Sequence, residues 1–560
     1  MNQLIECVPN FSEGNDTNII KQITNEIESV EGVKLLNVDP GKATNRTVVT
    51  FVGNPQAVID AAFLAIKKAS ELIDMSKHKG EHPRMGATDV CPLIPIAGIS
   101  MEETAEYAKK LGARVGKEVG IAVYLYEAAQ ADKKRNNLSI IRSGEYEGFF
   151  KKIKLPEWKP DFGPAEHSVK SGSTVIGARD FLVAYNVNLN TTSTRRANSI
   201  AFDVREAGRV KREGNPVTGK IVTDEKGNPV NIPGTLKSVK AIGWYIEEFG
   251  IAQISMNLTN INITSVHKAF DEVCNKAWER GIRVTGSELV GLVPLKSMLD
   301  AGKYFLEKQN RSIGVSEKEL IKIAVKSLGL DELSPFKPEE RIIEYLLKDD
   351  SKARLIKMDL VAFADETASE SPAPGGGSIA AYVGTLGISL GTMVANLSSH
   401  KPGWDERWKE FSDWAEKGQH FKNELLKMVD EDTNAFNKIM TAFGLPKAND
   451  EEKKARTQAI QDATKYATEV PFKVMQLCYD SMEVIKAMAE VGNPNSVTDA
   501  GVGALCARSA VMGAFLNVKI NAAGLTDKAF AEKLIAEGNV LEVKANALES
   551  EILKIVNGKI

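Results

Sequence analysis

The amino-acid sequence predicts a multidomain fold: an α+β region of two ferredoxin-like (βαββαβ) subdomains, followed by an all-α helical-bundle domain. Three observations lead there. A chain of 560 residues is too long for one core. Strand-like and helix-like patterns follow the same order twice before Val290. Beyond about Leu355 the strand signals stop and helical periods run to Ile560. The boundaries drawn from these patterns are 1–180 and 181–327 for the two subdomains, 328–353 for a linker, and 354–560 for the bundle.

In chain order, Leu4 to Cys7 reads as a strand and Pro9-Asn10-Phe11-Ser12-Glu13-Gly14 as a turn-rich stretch. Ile19, Ile20, Ile23, Ile27 and Val30 follow a helical period. Leu35 to Val38 is a short strand broken by Asp39-Pro40-Gly41, and Thr47 to Val52 is the next strand. Asn54-Pro55 starts a helix, with a capping side chain and then proline in the first turn. A strand from Val90 to Ile96 closes the first βαββαβ order, which a helix (Glu102 to Val119) and a strand (Ile121 to Tyr126) extend. Gly144 to Thr174 reads as irregular.

The order then repeats. Phe181 to Leu189 is a strand and Thr194 to Arg205 a helix. Ala241 to Glu247 and Ala252 to Leu258 are strands, Val266 to Arg280 a helix and Ile282 to Glu288 a strand. Gly214 to Gly234 reads as a hairpin insertion. Two sheets side by side leave a cleft suited to a small molecule. Ser334-Pro-Phe-Lys-Pro338 and the charged run after Lys348 mark the linker. Candidate helices of the bundle are Leu355 to Thr367, Gly377 to Leu397, Asp405 to Phe443, Glu451 to Ala487, Val497 to Val518 and Asp527 to Lys554.

The near-balanced net charge of -3 argues against nucleic acid and against a membrane surface as partners. Ile379 to Leu397 carries no charge over nearly a bilayer's thickness, but its small residues recur at helical spacing, which predicts a buried helix that others approach closely, with a membrane span as the lesser reading. Five scattered cysteines without a CxxC pair predict free thiols in a reducing compartment and no metal site. The N-terminus lacks the basic start and apolar run of a signal peptide, so a cytoplasmic location is expected.

The stretch Asp74 to Asp89 places His78, His82, Lys77, Lys79 and Arg84 between a helix pattern and a strand pattern. Gly80, Pro83 and Gly86 forbid a regular helix, so it is a loop held by rigid neighbours. Catalytic histidines are often carried in this way; a solvated basic loop is the competing reading. Asn186, Asn188 and Asn190 alternate along a strand and share one face, either to bind a ligand edge or to cap the sheet end. Asp430 and Asp432 lie about 200° apart around a helix and cannot share one site. Gly375-Gly376-Gly377-Ser378 precedes a helix, where free N–H groups attract an anion or simply begin a helix after a tight turn.

Several of these stretches together resemble a known family. Ile5-Glu6-Cys7-Val8-Pro9-Asn10-Phe11-Ser12-Glu13-Gly14, Thr44-Asn45-Arg46-Thr47, His78-Lys79-Gly80-Glu81-His82-Pro83-Arg84-Met85-Gly86, Gly243-Trp244-Tyr245 and Phe336-Lys337-Pro338 are similar to formiminotransferase. Ala373-Pro374-Gly375-Gly376-Gly377-Ser378, opening a helical domain, is similar to cyclodeaminase. End to end, the chain resembles the bifunctional formimidoyltransferase-cyclodeaminase family of histidine degradation. Only the Gly214 to Gly234 insertion departs from its shorter members.

The resemblance implies transfer of a formimino group from N-formimino-L-glutamate to N5 of tetrahydrofolate. Cyclisation to 5,10-methenyltetrahydrofolate with release of ammonia then follows. It places the proton transfers of the first step on His82, with Asp39 orienting or charge-stabilising the imidazole, relaying its proton, or standing only as a turn residue before Pro40. Arg46 and Arg84 are offered to substrate carboxylates or to surface salt bridges. The stretch Gly163, Pro164, Ala165, Glu166, His167, Ser168, Val169, Lys170, Ser171 and Gly172 corresponds to the family's folate-binding loop, where backbone contacts are expected. For the second step the motif Asp-x-Asp-x-x-Ala-Phe points to Asp432, a carboxylate that can work as acid and base in a half-dry cleft. Asn188, Gly376, Gly377, Ser378, Asp499 and Asn521 are weaker binding candidates. The implied co-substrate is tetrahydrofolate, in polyglutamylated form, with no tightly bound cofactor and no metal. A homo-oligomer is expected. Two alternatives for the helical domain are a methenyltetrahydrofolate cyclohydrolase and a non-catalytic assembly domain.

Overall fold

The computed structural model describes residues 3–42, 44–80, 83–214, 218–348 and 353–560. His82 therefore lies outside the described residues. Contacts divide the chain into two compact units, one of residues 1–297 and 328–347, the other of 298–327 and 348–560.

In the first unit β1 (Leu4–Cys7) and β2 (Asn10–Phe11) precede α1 (Thr17–Glu28) and are followed by β3 (Val33–Gly41), β4 (Arg46–Gly53), α2 (Pro55–Leu72), β5 (Thr88–Ala97), α3 (Met101–Arg114) and β6 (Val123–Glu127). The helix starts are fixed locally. The Asn54 side chain accepts from Ala57 N–H at 2.9 Å ahead of Pro55. Ser100 and Glu103 form a capping box that opens α3. Within the stretch expected to be irregular stand α5 (Glu145–Lys152) and, just before it, α4 (Leu138–Arg142). β7 (Thr174–Ala178) then joins the sheet. β1 lies between β4 and β5 and is antiparallel to both; β3 flanks β4, and β5, β7 and β6 run parallel.

Alternation gives this sheet two faces. Ile5, Cys7, Phe11, Val49, Phe51, Cys91 and Leu93 point into the core beneath α1, α2 and α3. The intervening Glu6, Asn10, Arg46, Val48, Thr50 and Val90 point the other way.

The second sheet is built from β8 (Val183–Leu189), α6 (Thr194–Val204), the hairpin β9 (Arg209–Val210) and β10 (Asn231–Ile232), β11 (Val239–Ile246), β12 (Ile251–Leu258), α7 (Val266–Trp278) and β13 (Val284–Val290). Its order is β11-β12-β8-β13, antiparallel throughout, and the β9–β10 hairpin carries the predicted insertion.

Helices α8 (Leu295–Glu307), α9 (Glu317–Leu328), α10 (Pro338–Arg341) and α11 (Ile343–Leu347) correct the expected boundaries. Residues 298–327 cluster with the helical unit and not with the second subdomain. There Ile313 N–H donates to Ser412 Oγ at 3.0 Å, and Asn396 Nδ2 donates to the Gly314 carbonyl at 2.8 Å. The expected linker returns to the first unit. Ile342 and Ile343 are buried, and Ile343 N–H donates to the Val293 carbonyl at 3.1 Å. Two apolar side chains pulled from water hold this segment in place.

The helical unit continues with α12 (Leu360–Thr367), α13 (Gly376–Ser399), α14 (Trp408–Phe443), α15 (Asp450–Val491), α16 (Val497–Ala523) and α17 (Lys528–Asn557). α13 is the core helix expected from its small residues: Gly384 faces Cys478 on α15, and Gly387 meets the backbone of Gly503 on α16.

Candidate active sites

The polar face of the first sheet and the end of the second enclose a cavity of about 470 Å³. Asp39 on β3 and Arg46 on β4, both candidates from the sequence, line it together with Glu6, Arg142, Arg179 and Lys240. Arg46 Nε donates to Asn10 Oδ1 at 2.9 Å, and its Nη1 stands 3.6 Å from Asp89 Oδ2. Arg142 Nη2 donates to the same Asp89 oxygen at 2.7 Å. The fully buried Asp89 carboxylate thus aims two guanidiniums at the cavity while accepting from Met85 N–H at 3.0 Å. Burial brings the Arg46 guanidinium down to about 10, opposed by Asp89 and helped by Arg142, so it stays charged at neutral pH.

Glu6 was missed. Only 2% of its surface is exposed, because the second sheet covers what would otherwise be a solvent face of β1. Burial pushes its carboxyl up to about 7, against the pull of Arg179. Nor does the sequence mark Arg142 or Asp89, since the part of Asp89 depends on arginines reached only in three dimensions.

Two of the expected motifs meet. Gly86 bridges Gly172, Ala87 N–H donates to the Ser171 carbonyl at 2.8 Å, and Met75 N–H to the Lys170 carbonyl at 2.8 Å. The flanks of the first motif, Met75 and Met85 to Ala87, are therefore packed against Lys170 to Ser173 at the end of the second. Gly172 has φ +68°, and a Cβ there would overlap the Met85 carbonyl. Within the second loop, Gly163 to Glu166, Val169 and Lys170 are exposed. His167 is buried among Tyr146, Phe149 and Phe150, and its Nδ1 pairs with Ser173 Oγ at 2.8 Å. Burial lowers its imidazole to about 4, so it is neutral and structural.

Three candidates of the first unit are engaged elsewhere. Arg84 does not line the cavity: Glu147 takes it at 2.7 Å and Glu145 at 3.1 Å, and its Nε donates to His78 Nδ1 at 3.2 Å. Its guanidinium is thus tied into the loop and not offered to a ligand carboxylate. His78 Nε2 pairs with the Asn45 carbonyl at 2.9 Å, a structural post beside Arg46. Asn188 is fully buried, accepts from Gln253 Nε2 at 2.8 Å and donates to Glu332, so it belongs to the interior of the second sheet.

In the helical unit three consecutive acids part company as the helix angle requires. Asp430 accepts from Leu355 N–H at 2.7 Å, Glu431 accepts from Tyr466 Oη, and Asp432 turns to the start of α13. Asp432 Oδ2 accepts from Ser378 Oγ at 3.0 Å. Gly377 lies so close that a Cβ there would overlap the carboxylate. Burial raises the Asp432 pKa; the hydroxyl and N–H of Ser378 oppose this. Gly376, Gly377 and Ser378 are thus brought to Asp432, and its carboxylate is the anion at this helix N-terminus. Asn517 on α16 approaches Gly376. Asn521, four residues on, donates to the Ala467 carbonyl at 2.7 Å. Asp499 falls away from this place. At 1.5 Å per residue it lies about 27 Å from Asn517 along α16.

An anion-receptive cavity between two sheets and a desolvated carboxyl at a helix start in a second unit define the class: a bifunctional enzyme. Three family models match the chain. "Formiminotransferase domain, N-terminal subdomain" covers residues 4–179, "Formiminotransferase domain" covers 184–348, and "Formiminotransferase-cyclodeaminase" covers 359–539. The chain belongs to the formimidoyltransferase-cyclodeaminase family. It is 42% identical over 534 residues to the formimidoyltransferase-cyclodeaminase of Mus musculus, covering 95% of both chains. It is 41% identical over 563 residues to that of Dictyostelium discoideum, covering 100% of both. Glutamate formimidoyltransferase of Thermoplasma acidophilum is 40% identical over 324 residues, 57% of this chain and 98% of that one.

Proposed function

We propose that this chain transfers the formimino group of N-formimino-L-glutamate to N5 of tetrahydrofolate and then cyclises the product to 5,10-methenyltetrahydrofolate with release of ammonia. The observation that carries this reading is the end-to-end match to relatives named for both reactions. The cyclohydrolase and assembly-only alternatives lack such support over the full length. The strand orders of the two sheets support reading each as a ferredoxin-like unit.

In the first reaction an amine attacks an amidine carbon through a tetrahedral intermediate. N5 loses a proton, and the departing glutamate nitrogen gains one. His82 has these transfers in this reading, assigned through its Glu-His-Pro-Arg motif, with Asp39 at the cavity as its partner. Arg46 and Arg142, aimed together by Asp89, suit the carboxylates of glutamate or folate. The Gly163–Gly172 loop contributes backbone groups to the folate, which its packing against Met75 and Ala87, on either side of the histidine motif, supports. In the second reaction N10 loses a proton and the leaving ammonia gains one. A buried carboxyl with a raised pKa suits both transfers, and Asp432 is that group.

Self-association and a cytoplasmic place complete the reading. The first is supported by exposed Leu516, Ile520 and Val543 on the helical unit, the second by five free cysteines. The test is the full-length protein with N-formimino-L-glutamate and tetrahydrofolate. Near-ultraviolet absorbance of the methenyl product rises with ammonia in equal amount; ammonia-free or product-free mixtures overturn the assignment.

A further inference from the structure

We propose that Glu6 holds the formimino group by ion pairing, its carboxylate accepting from the cationic N–H groups of the substrate's amidinium as transfer begins. The proposal rests on the transferase reading above and adds a partner for the reacting group.

An amidine is a strong base and is cationic at neutral pH. The cavity that must admit it is lined by Arg46, Arg142, Arg179 and Lys240, all of like charge to it. Those cations serve carboxylates at the ends of a substrate; they repel an amidinium at its centre. Two acids line the same cavity, Glu6 and Asp39. Asp39 sits exposed on the edge strand β3, where water screens its charge. Glu6 is enclosed on β1, between β4 and β5. Among the described residues no side chain or backbone group donates a hydrogen bond to its carboxyl, and no cation lies in salt-bridge contact with it. Glu6 lines the cavity, and an amidinium entering it supplies two N–H donors in the planar spacing that a carboxylate accepts.

The chemistry balances around this pair. The N5 lone pair forms the new C–N bond. The bond from carbon to the glutamate nitrogen breaks with its electrons on that nitrogen, which takes one proton while N5 gives one up. The terminal nitrogen stays on the carbon throughout and keeps its N–H bond to Glu6, while the second bond, from the glutamate N–H, is given up as that nitrogen leaves; the carboxylate neither gains nor loses a proton.

The ionisation of Glu6 then controls binding. The groups around it are Arg179 after β7, Tyr126 on β6, Cys7 beside it and Glu344 on α11; across the cavity stand Asp39, Arg46, Arg142 and Lys240. Burial outweighs Arg179, so the free carboxyl titrates at about 7. Charged above that value, it binds the amidinium; neutral below it, it does not.

The experiment compares full-length wild type, Glu6→Gln and Glu6→Asp in steady-state transfer, varying each substrate at saturation of the other. In Glu6→Gln the KM for N-formimino-L-glutamate is expected to rise at least tenfold with the folate KM within twofold; Glu6→Asp falls between. The wild-type KM for N-formimino-L-glutamate rises as pH falls from 8 to 6, and Glu6→Gln loses that dependence. Retention of the folate KM and of the thermal unfolding transition of the transferase unit reports that each variant is folded where the substitution lies. An unchanged KM and pH dependence in Glu6→Gln, or equal damage to both KM values, overturns the role of Glu6 while leaving the function intact. Absence of transfer by the wild type overturns the function, and this proposal with it.

Discussion

At the scale of single residues, both centres rely on carboxyls taken out of water. Asp432→Asn keeps the shape and the contact to Ser378 but cannot take a proton. Ammonia release should fall by about 100-fold or more while formimino transfer is unchanged, measured as separate half-reactions. Glu6 makes a second prediction, on stability. Its folded value of about 7 stands above its unfolded value of 4.5, so the folded state binds this proton more tightly. The penalty is absent below pH 4.5, grows as pH rises through 7, and reaches about 3 kcal/mol above that. Glu6→Gln should therefore raise the urea midpoint at pH 8 and leave it unchanged at pH 4. Asp432 was picked out by the family motif, while the helix angle only separated it from Asp430 and left a solvated acidic face as the plainer reading. Glu6 was not, since on β1 it alternates with core residues as any solvent-facing side chain does. Its burial comes from a second sheet that no local pattern encodes. Asp499 misled for a related reason: helical periodicity gives an angle around an axis, not which neighbouring helix end is near.

At the scale of elements, the period of strands and helices was readable almost throughout, including α13 as a buried helix with small residues. The turn-rich segments between Arg84 and Thr174 were not, because their order comes from charge pairs and loop-on-loop packing. Asp89 is the clearest case. Removing it by Asp89→Ala leaves Arg46 and Arg142 buried without the carboxylate they share, a loss of about 3–5 kcal/mol that thermal denaturation of the transferase unit should reveal. Gly172→Ala forces a side chain into a left-handed conformation and against the Met85 carbonyl. A cost of about 1–3 kcal/mol is expected, with transfer impaired and ammonia release from supplied 5-formiminotetrahydrofolate intact. Gly377→Ala does the opposite: its methyl displaces Asp432, so cyclisation fails and transfer survives.

At the scale of the whole molecule, the change from mixed to all-helical structure was visible from composition and period, but the domain seam was not. The stretch Ser334 to Lys348 has the proline and charge of a linker, yet Ile342 and Ile343 are buried. Apolar residues within a polar stretch decided its place. The chain leaves the first unit at residue 298, returns at 328 and leaves again at 348. A fragment of 354–560 lacks the 298–327 segment, with its bonds to Ser412, Asn396 and Gln419, and should unfold at lower urea than the same fragment supplemented with residues 298–327 as a peptide. The doubled crossing also bears on how such genes can be recombined. Exchanging the two catalytic halves as cassettes at the apparent junction would carry thirty or so residues of one parent into the other's interior. Only partners whose α8 and α9 surfaces already match could be spliced without loss.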